Sequence, residues 1–488
     1  MMGLPDFWFE PQLWIDGSWV PGSDTIRVVN PATGVLVTDV SCADPNLLDL
    51  AIRGAAQALT PWRESSPFLR GDILKRIAAR LLDRKDPFAR LLTSEQGKPY
   101  AQAIAEVEYA ASFFQWFGEQ ARRTYGRISP HPDPTREYLI EQRPMGVAGL
   151  ITPWNFPLAQ GSKKIAAALA AGCTAVWKPS ELTPLVALAL APIAAEAGLP
   201  PGVLQIVPGV GSILGRPLAE HPDIRVISLT GSTRTGATLL ANAATGIKRV
   251  ALELGGNAPL IVLPDADLDH VADELVRMKL FVTGQVCVTA NRVLVHRDQE
   301  LQLLDRLKHR LESARIGNGL DENVNAGPLI HHQACQAVRD LVSSAVQQGA
   351  VIISENRSYQ ASSELKDGSF FPPTILTNVT DQMRLAREEI FGPVIPLLTY
   401  VEVQDAIARA NQTPYGLAAY VYGSDLSRCR AVARQLEVGI VGINEWRPLR
   451  SEIPFGGVKQ SGWGSEGGEE GMREFLCTQV LSIPRPGI

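Results

Sequence analysis

The regular alternation of short apolar runs with helix-like segments, from residue 147 to residue 244, is what most constrains the fold of this chain. Strand-like runs lie at residues 147–151, 174–177, 203–207 and 225–229. Each is followed by a segment whose apolar residues have helical spacing, at about 162–171, 185–197, 212–220 and 234–244. Short buried strands that alternate with helices of this size are typical of βαβ units. The region is therefore predicted to form a doubly wound, parallel α/β layer.

A second alternating series follows this layer, and a helical region precedes it. The second series consists of strands and helices at 258–263, 267–279, 292–295, 300–313 and 439–443. It predicts a second α/β domain. Before residue 147 the chain is predicted to be mostly helical, with helices at 47–59 and 69–95. Residues 125–142 are polar and rich in Pro and Arg, which predicts an exposed hairpin whose edge would pair with another strand.

Composition and charge exclude several classes of protein. The 488 residues are enough for two or three domains, and the formal charge of −5 offers no basic surface for nucleic acid. The six cysteines contain no C-x-x-C pair, so neither a disulfide framework nor a metal site is expected. The apolar stretch at 182–195 is too short to span a bilayer, and no signal-peptide pattern is recognised. We expect a cytoplasmic protein without membrane or nucleic-acid partners.

Three residues could form a catalytic set for covalent chemistry on a cysteine. Cys287 lies between a helix-like segment and a strand, and it becomes a nucleophile if a base and an oxyanion site are nearby. Glu253 ends an apolar strand, where desolvation would raise its pKa toward the range of a general base. Asn155 follows the first strand and could donate its amide to a developing oxyanion. Each has a structural alternative, namely a buried thiol, a surface glutamate and a turn-forming asparagine.

The signals for a bound dinucleotide are individually weak. Gly211 precedes a helix, but the next glycine, Gly215, stands one residue too late for a G-x-G-x-x-G pattern. The segment around Gly231 is a better candidate, because it joins a strand to a helix whose first N–H groups could bind a pyrophosphate. Lys178 and Glu181 follow another strand and could hold ribose hydroxyls. Each of these could equally be a structural turn.

Taken together, the motifs resemble the aldehyde dehydrogenase superfamily, in the order of that family and over nearly the whole chain. They are Pro153-Trp-Asn-Phe-Pro157, Lys178-Pro-Ser-Glu181, Thr230-Gly-Ser232, Glu253-Leu-Gly-Gly-Asn257, Gly284-Gln-x-Cys287, Glu389-Ile-Phe-Gly-Pro393 and Pro454-Phe-Gly-Gly-Val-Lys-x-Ser-Gly462. The resemblance implies an α/β fold with a Rossmann-type nucleotide domain, an α/β catalytic domain and a small β oligomerisation arm. It also implies a homodimer or homotetramer.

The resemblance further implies a division of the chain into four parts. Residues 1–119 and 142–253 would form the NAD-binding domain, and residues 254–450 the catalytic domain. Residues 120–141 and 471–488 would form the oligomerisation arm, and 451–470 a loop that returns to the NAD-binding domain.

The family's residue roles transfer to the matching positions. Cys287 resembles the nucleophile that adds to the aldehyde, Asn155 an oxyanion donor, and Glu253 the base that activates water for hydrolysis of the thioester. The implied cofactor-binding residues are Thr152, Pro153, Trp154, Lys178, Ser180, Glu181, Gly211, Gly231, Ser232, Leu254, Glu389 and Phe391. We expect NAD as the cofactor, because the Glu181 carboxylate would repel the 2′-phosphate of NADP, although NADP use stays open.

The predicted substrate is an aldehyde with an apolar body. The motifs are most similar to the succinate-semialdehyde dehydrogenase branch, but that branch has an arginine where this chain has Phe281 and a second arginine where it has Lys163. The predicted pocket is lined by Phe156, Gln160, Lys163, Phe281, Val286, Val288, Trp446 and Leu449. Its apolar character favours a medium-chain aliphatic or aromatic aldehyde.

Two alternatives stay open from the sequence. An omega-carboxy semialdehyde could place its carboxylate near Lys163, Arg447 and Arg450 at the mouth of the pocket. A remote alternative is a nitrilase-like hydrolase, in which Cys287, Glu253 and Lys178 would form the catalytic set without a dinucleotide.

Overall fold

The computed structural model describes residues 8–356 and 365–485. The strands are β1 (Leu13–Ile15), β2 (Ser18–Val20), β3 (Asp24–Val29), β4 (Leu36–Cys42), β5 (Arg127–Pro130), β6 (Arg136–Pro144), β7 (Val147–Ile151), β8 (Thr174–Lys178), β9 (Leu204–Ile206), β10 (Ile224–Thr230), β11 (Arg249–Glu253), β12 (Ala258–Val262), β13 (Ala290–His296), β14 (Val351–Glu355), β15 (Thr374–Thr377), β16 (Val394–Tyr400), β17 (Ala418–Tyr422), β18 (Ile440–Ile443), β19 (Gly462–Trp463) and β20 (Leu476–Pro484). The helices are α1 (Pro45–Glu64), α2 (Pro67–Asp83), α3 (Lys85–Gln96), α4 (Tyr100–Gln120), α5 (Pro157–Ala171), α6 (Leu185–Glu196), α7 (Gly211–Glu220), α8 (Thr233–Ala244), α9 (Leu268–Leu280), α10 (Glu300–Glu312), α11 (His332–Gln347), α12 (Arg384–Arg387), α13 (Val403–Asn411), α14 (Leu426–Ala433) and α15 (Gly468–Arg473).

The first predicted α/β layer is present as an eight-stranded sheet. Its order is β19-β11-β10-β7-β8-β9-β1-β2. The five strands from β11 to β9 run parallel. At the edges, β19 pairs antiparallel with β11, β1 with β9, and β2 with β1. Helices α5 to α8 connect the parallel strands, which bury nearly every side chain. The carboxyl ends of these strands therefore meet at one edge, where ligands bind in sheets of this type.

The second predicted α/β series forms a seven-stranded sheet with the order β14-β15-β16-β13-β12-β17-β18. All neighbouring pairs are parallel except the β14–β15 pair at one edge. The predicted α/β fold class is confirmed by both sheets. Whether the chain divides into domains at the predicted residue boundaries stays a prediction, and residues 1–7, 357–364 and 486–488 of those domains lie outside the described residues.

The expectation of a mostly helical region before residue 147 was partly wrong. Strands β1 to β4 precede the first helix, and β1 and β2 extend the first sheet. Strands of three residues are too short for their periodicity to be read. The predicted helix at 69–95 is two helices, because Pro87 cannot donate a hydrogen bond and its ring crowds the carbonyl four residues earlier. Helix α2 accordingly ends at Asp83.

The predicted hairpin is present, and its partner strand comes from the same chain. Strands β5 and β6 form the hairpin, and β20 pairs with β6 along its whole length in a three-stranded sheet, β20-β6-β5. Strand β6 continues to Pro144 and α15 ends at Arg473, whereas the arm was predicted to span residues 120–141 and 471–488. These limits of the arm stay a prediction. A role of this sheet in oligomerisation stays a prediction.

Within the described ranges, no helix is long and apolar enough to cross a membrane.

Candidate active site

The three predicted catalytic residues lie around one cavity. Asn155, Glu253 and Cys287 all line it, together with Glu389 and Phe391. Glu253 is the last residue of β11 and Asn155 follows β7, and both strands flank β10 at the same edge of the first sheet. Cys287 reaches the cavity from the segment that precedes β13 in the second sheet. The fold therefore assembles the candidate nucleophile, base and oxyanion donor between the two large sheets.

A strained turn presents Cys287. Val282, Thr283 and Gly284 have φ values of 47°, 55° and 72°, and β-branched residues rarely adopt this left-handed conformation, which costs about 1–3 kcal/mol per residue. Hydrogen bonds hold the turn: the Val282 N–H donates to Oε1 of Gln102 at 2.8 Å, and the Thr283 hydroxyl donates to the Gly327 carbonyl at 3.0 Å. The backbone before Cys287 is thus fixed by contacts from outside the turn.

Two further contacts fix the position of the segment around Cys287. A Cβ at Gly284 would clash with the carbonyl of Gly392, so the turn packs directly on the loop that carries Glu389 and Phe391. On the other side, the buried Tyr420 hydroxyl donates to the carbonyl of Val288 at 2.8 Å. Nothing in the sequence pattern indicated the contact of Tyr420.

The Asn155 side chain is oriented by its own hydrogen bond. Its Nδ2 donates to the carbonyl of Gln285 at 3.0 Å. An amide nitrogen carries two N–H groups, so this bond fixes the amide plane and leaves a second donor for an oxyanion. The Asn155 backbone carbonyl accepts from Lys98 Nζ at 2.7 Å.

A buried ion pair supports the whole segment around Asn155. Lys98 pairs with Glu106, and both side chains are fully buried. Oε1 of Glu106 accepts hydrogen bonds from the backbone N–H groups of Leu158 at 3.0 Å and Ala159 at 3.2 Å, at the beginning of α5. Lys98 also lies 4.4 Å from the centroid of the Phe156 ring. Sequence reasoning missed this pair, because neither residue lies in a motif that had suggested a function.

The candidate base is almost completely desolvated. Glu253 is 1% exposed, and among the described residues neither carboxylate oxygen has a hydrogen-bond partner. Burial raises its pKa to about 8, since water no longer stabilises the charged form, while the nearby Lys163 opposes this shift. Burial likewise raises the pKa of the Cys287 thiol well above its usual range, and the Glu253 and Glu389 carboxylates add to the shift.

Lys163, which the sequence offered as a partner for a substrate carboxylate, is already paired within the protein. It is buried and pairs with Glu466, which also pairs with the buried Lys164. Although burial disfavours the charge of Glu466, the two lysines hold its pKa at about 2. Glu466 was not predicted as a site residue, because it lies in a Gly- and Glu-rich segment far along the chain.

The twelve predicted cofactor residues line two adjoining cavities. Nine of them line a groove along the carboxyl edge of the first sheet, namely Thr152, Pro153, Trp154, Lys178, Ser180, Glu181, Gly211, Gly231 and Ser232. Leu254, Glu389 and Phe391 line the cavity that contains Cys287. Pro153, Trp154, Gly231 and Ser232 line both cavities, so the groove leads to Cys287, the candidate nucleophile. Their binding roles stay predictions.

The groove has the chemical features of a dinucleotide site. Lys178 Nζ lies 2.9 Å from Oε2 of Glu181, and together they present a cation and a carboxylate to one end of the groove. The side chain of Ser232 caps the N-terminus of α8. The ring of Trp154 packs edge-on against Phe391 at 5.4 Å, beside the cavity of Cys287. The nitrilase-like set is not assembled, because Lys178 pairs with Glu181 in the groove and does not line the cavity of Cys287 and Glu253.

All eight residues of the predicted substrate pocket line a second cavity on the other side of Cys287. They are Phe156, Gln160, Lys163, Phe281, Val286, Val288, Trp446 and Leu449. The ring of Phe281 packs against Phe156 at 5.7 Å and against Trp446 at 5.3 Å. Sequence reasoning missed several further residues of this lining, namely Tyr109, Phe113, Ala159, Met278, Thr289, Tyr420 and Phe455.

Known proteins resemble this chain over almost its whole length. A model of the aldehyde dehydrogenase family matches residues 19–481. A glutarate-semialdehyde dehydrogenase of Pseudomonas aeruginosa is 42% identical over 97% of this chain and 98% of its own length. A mitochondrial succinate-semialdehyde dehydrogenase of Arabidopsis thaliana is 43% identical over 96% of this chain and 88% of its own length.

Solved structures show the same fold. An NADP-dependent enzyme of E. coli, 40% identical, superposes with a TM-score of 0.95 over 98% of both chains. A betaine aldehyde dehydrogenase of Staphylococcus aureus in complex with NAD+, 34% identical, gives a TM-score of 0.94 over 99% of this chain and 96% of that chain. The resemblance carried by the seven motifs is thereby confirmed, and this chain belongs to the aldehyde dehydrogenase family of oxidoreductases.

Proposed function

We propose that this protein uses NAD to oxidise an aldehyde with an apolar body to the carboxylic acid, through covalent intermediates on Cys287. The observation that carries the proposal is the position of Cys287, which lines both the cavity that continues the nucleotide groove and the apolar pocket. A nucleophile at this junction can hold the reacting carbon of a substrate on one side and face a dinucleotide on the other.

The groove residues fit NAD. Gly231 has no side chain to cover the backbone just before the N-terminus of α8. A pyrophosphate can therefore approach the N–H groups at this end of the helix. The carboxylate of Glu181 can accept hydrogen bonds from ribose hydroxyls and would repel a 2′-phosphate. Oε1 of Glu389 accepts a hydrogen bond from the N–H of Gly256 at 3.1 Å. The carboxylate held in this way can accept hydrogen bonds from the ribose nearer the nucleophile. When bound, NAD would accept the hydride that leaves the aldehyde carbon.

The protein's own groups would carry the remaining steps. Glu253, when ionised, is the buried carboxylate available to take the thiol proton of Cys287. The sulfur then adds to the carbonyl carbon, and the Asn155 amide and the Cys287 backbone N–H stabilise the resulting oxyanion. After oxidation a thioester remains on Cys287. Glu253 releases to solvent the proton that it took from the thiol, and water then adds to the thioester as the ionised Glu253 accepts a proton. The C–S bond breaks, Glu253 passes this proton to the Cys287 sulfur, and the carboxylic acid leaves with the thiol restored.

The pocket lining supports a medium-chain aliphatic or aromatic aldehyde. Phe156, Phe281 and Trp446 enclose it with aromatic rings, and burial of each methylene against such walls contributes about 0.8 kcal/mol. Lys163 adds little attraction for an anion, because its ammonium already pairs with Glu466. A second candidate is an omega-carboxy semialdehyde, which the names of the Pseudomonas and Arabidopsis relatives support.

The first test is NADH formation from hexanal, measured by absorbance with wild type and Cys287→Ala, with NAD and NADP in parallel. We expect turnover with wild type only, and a higher kcat/KM with NAD. Equal turnover by Cys287→Ala would refute the role of the nucleophile, and a preference for NADP would refute the argument from Glu181.

A further inference from the structure

We infer that Glu274 is a positioning residue for substrate recognition: it holds Trp446 in place and thereby sets how tightly the pocket binds the apolar body of an aldehyde. Glu274 belongs to α9 and lies outside the seven motifs that carry the family resemblance. The inference rests on the proposed function and specifies how that same pocket selects its substrate.

One wall of the substrate pocket is a loop without regular secondary structure. Residues 444–450 follow β18, and Trp446, Arg447 and Leu449 of this loop line the pocket together with Cys287. The ring of Trp446 packs edge-on against Phe281, with 5.3 Å between the ring centroids. Since no helix or sheet fixes this loop, the position of the wall depends on the contacts that hold it.

Both ends of the loop are anchored. The side chain of Asn444 donates to the carbonyl of Gly423 at 2.8 Å and accepts from the N–H of Gly423 at 3.0 Å. A ring nitrogen of His270 lies 3.2 Å from the carbonyl oxygen of Asn444. At the other end, the carbonyl of the buried Ser451 accepts from the N–H of Gly468 at 2.9 Å. The ends of the loop are therefore held without Glu274.

Between these ends, Glu274 supplies the hydrogen bond that holds the wall. Its Oε2 accepts from the backbone N–H of Trp446 at 3.2 Å. Among the described residues, this is the one hydrogen bond that joins residues 446–449 to another segment of the chain, because Arg450 donates to carbonyls of its own loop. A charged acceptor makes such a bond roughly twice as strong as a neutral one.

The carboxylate of Glu274 is itself held firmly. Its side chain is buried on α9, and its Oε1 lies 3.6 Å from Nη1 of the exposed Arg277 one turn later. Burial of a carboxylate is unfavourable without donors, and the N–H of Trp446 and the guanidinium of Arg277 meet this need. Met278 of the same helix lines the pocket, and Phe281 follows the helix directly. Glu274 therefore ties the loop wall to the element that carries other parts of the pocket lining.

A fixed wall affects only a substrate that reaches it. Acetaldehyde has one methyl group beyond its reacting carbon and contacts the residues beside Cys287, whereas hexanal fills more of the pocket. Release of Trp446 should weaken the binding of hexanal and leave acetaldehyde unaffected. The chemical steps take place at Cys287, so kcat should not change for either aldehyde.

The test measures KM and kcat for both aldehydes in wild type, Glu274→Met, Glu274→Gln and the matched control Asp273→Ala. Met has a similar volume but lacks the carboxylate, and Asp273 is the preceding acidic residue of α9, which pairs with Arg310. We expect Glu274→Met to raise KM for hexanal about four- to fifteenfold, the equivalent of one or two buried methylene groups. Glu274→Gln should stay near wild type, because its amide oxygen can accept the same N–H. Asp273→Ala should match wild type.

A double variant shows whether Glu274 acts through Trp446. Trp446→Ala should raise KM for hexanal by itself, and Glu274→Met should raise it no further in that background. Equal effects of Glu274→Met on the two aldehydes, an unchanged KM for hexanal, or full additivity with Trp446→Ala would each overturn the inference while the proposed function stands.

Proteolysis provides a readout that does not depend on turnover. Arg450 is exposed at the end of the loop, and trypsin cleavage after it can be followed by mass spectrometry. Glu274→Met should accelerate this cleavage, and neither Glu274→Gln nor Asp273→Ala should. If wild type oxidises neither aldehyde, the proposed function fails. An unchanged rate of cleavage in Glu274→Met would then overturn the role of Glu274 as well, whereas a faster rate would support its hold on the loop.

Discussion

The pH dependence of thioester hydrolysis tests Glu253 as the base. Its carboxylate is almost fully buried, without a hydrogen-bond partner among the described residues, and its pKa is raised to about 8. A base acts in its ionised form, so the rate of hydrolysis should increase as pH rises through that pKa. A group with this pKa is roughly one-tenth ionised at pH 7 and about nine-tenths ionised at pH 9. We therefore expect an increase of about tenfold over this range, followed by a plateau.

A chromogenic p-nitrophenyl ester allows the step to be measured without a cofactor. It acylates Cys287 directly, so the initial burst reports acylation and the linear phase reports hydrolysis of the acyl-enzyme. The separation matters because the pKa of Cys287 is also raised, which gives acylation its own pH dependence. Glu253→Gln should form the burst more slowly, because Glu253 also accepts the thiol proton, and it should slow the linear phase by about 10²–10⁴-fold. Cys287→Ala, the control, should show no burst.

A variant of the nearby Lys163 provides a second test of Glu253 as the base. Lys163 stabilises the ionised form of Glu253, so Lys163→Met should move the midpoint of the linear phase to higher pH. Two outcomes would refute the assignment of Glu253. One is a linear phase in wild type that rises in proportion to hydroxide without a plateau, and the other is a plateau that persists in Glu253→Gln.

Two other predictions concern the oxyanion donor and its support. Asn155→Ala should lower kcat by about 10²–10³-fold without weakening NAD binding, measured by quenching of tryptophan fluorescence; a loss below threefold would contradict the role of the amide. Lys98→Met should lower the free energy of unfolding in urea by about 3–5 kcal/mol, because it leaves the Glu106 carboxylate buried without its cation. The double variant Lys98→Met/Glu106→Gln should recover much of this loss, and the absence of any recovery would show that the unpaired charge is not its cause.

Local patterns in the sequence were sufficient for much of the fold and for the candidate catalytic set. The strand-like runs at 147–151 and 225–229 are β7 and part of β10, because buried parallel strands are apolar over their whole length. Glu253 and Asn155 could be recognised as candidates because each follows or ends such a strand, and parallel strands end at one edge of a sheet. The short strands β1 and β2 were missed because three residues carry no readable periodicity.

Local sequence patterns could not predict which basic residues of the pocket are paired with a carboxylate. Lys163 and Arg447 are both basic residues predicted near the pocket, yet only the folded chain distinguishes them. Lys163 and Lys164 pair with Glu466, which is 302 positions from Lys164 along the chain. Arg447 instead contacts the Phe281 ring, and it pairs with no carboxylate of the described residues. The left-handed conformation of Val282 and Thr283 could not be predicted from the sequence either, because their residue types favour extended backbone.

The sequence by itself determined the family, the parallel α/β layers and the identity of the candidate nucleophile, base and oxyanion donor, since these depend on residue type and local spacing. The tertiary structure alone decided which cation is neutralised, how far Glu253 is desolvated and what holds the turn before Cys287 in place. The physical reason is that charge, burial and strain depend on which groups lie within a few ångströms of each other, and folding brings those groups together from distant parts of the chain.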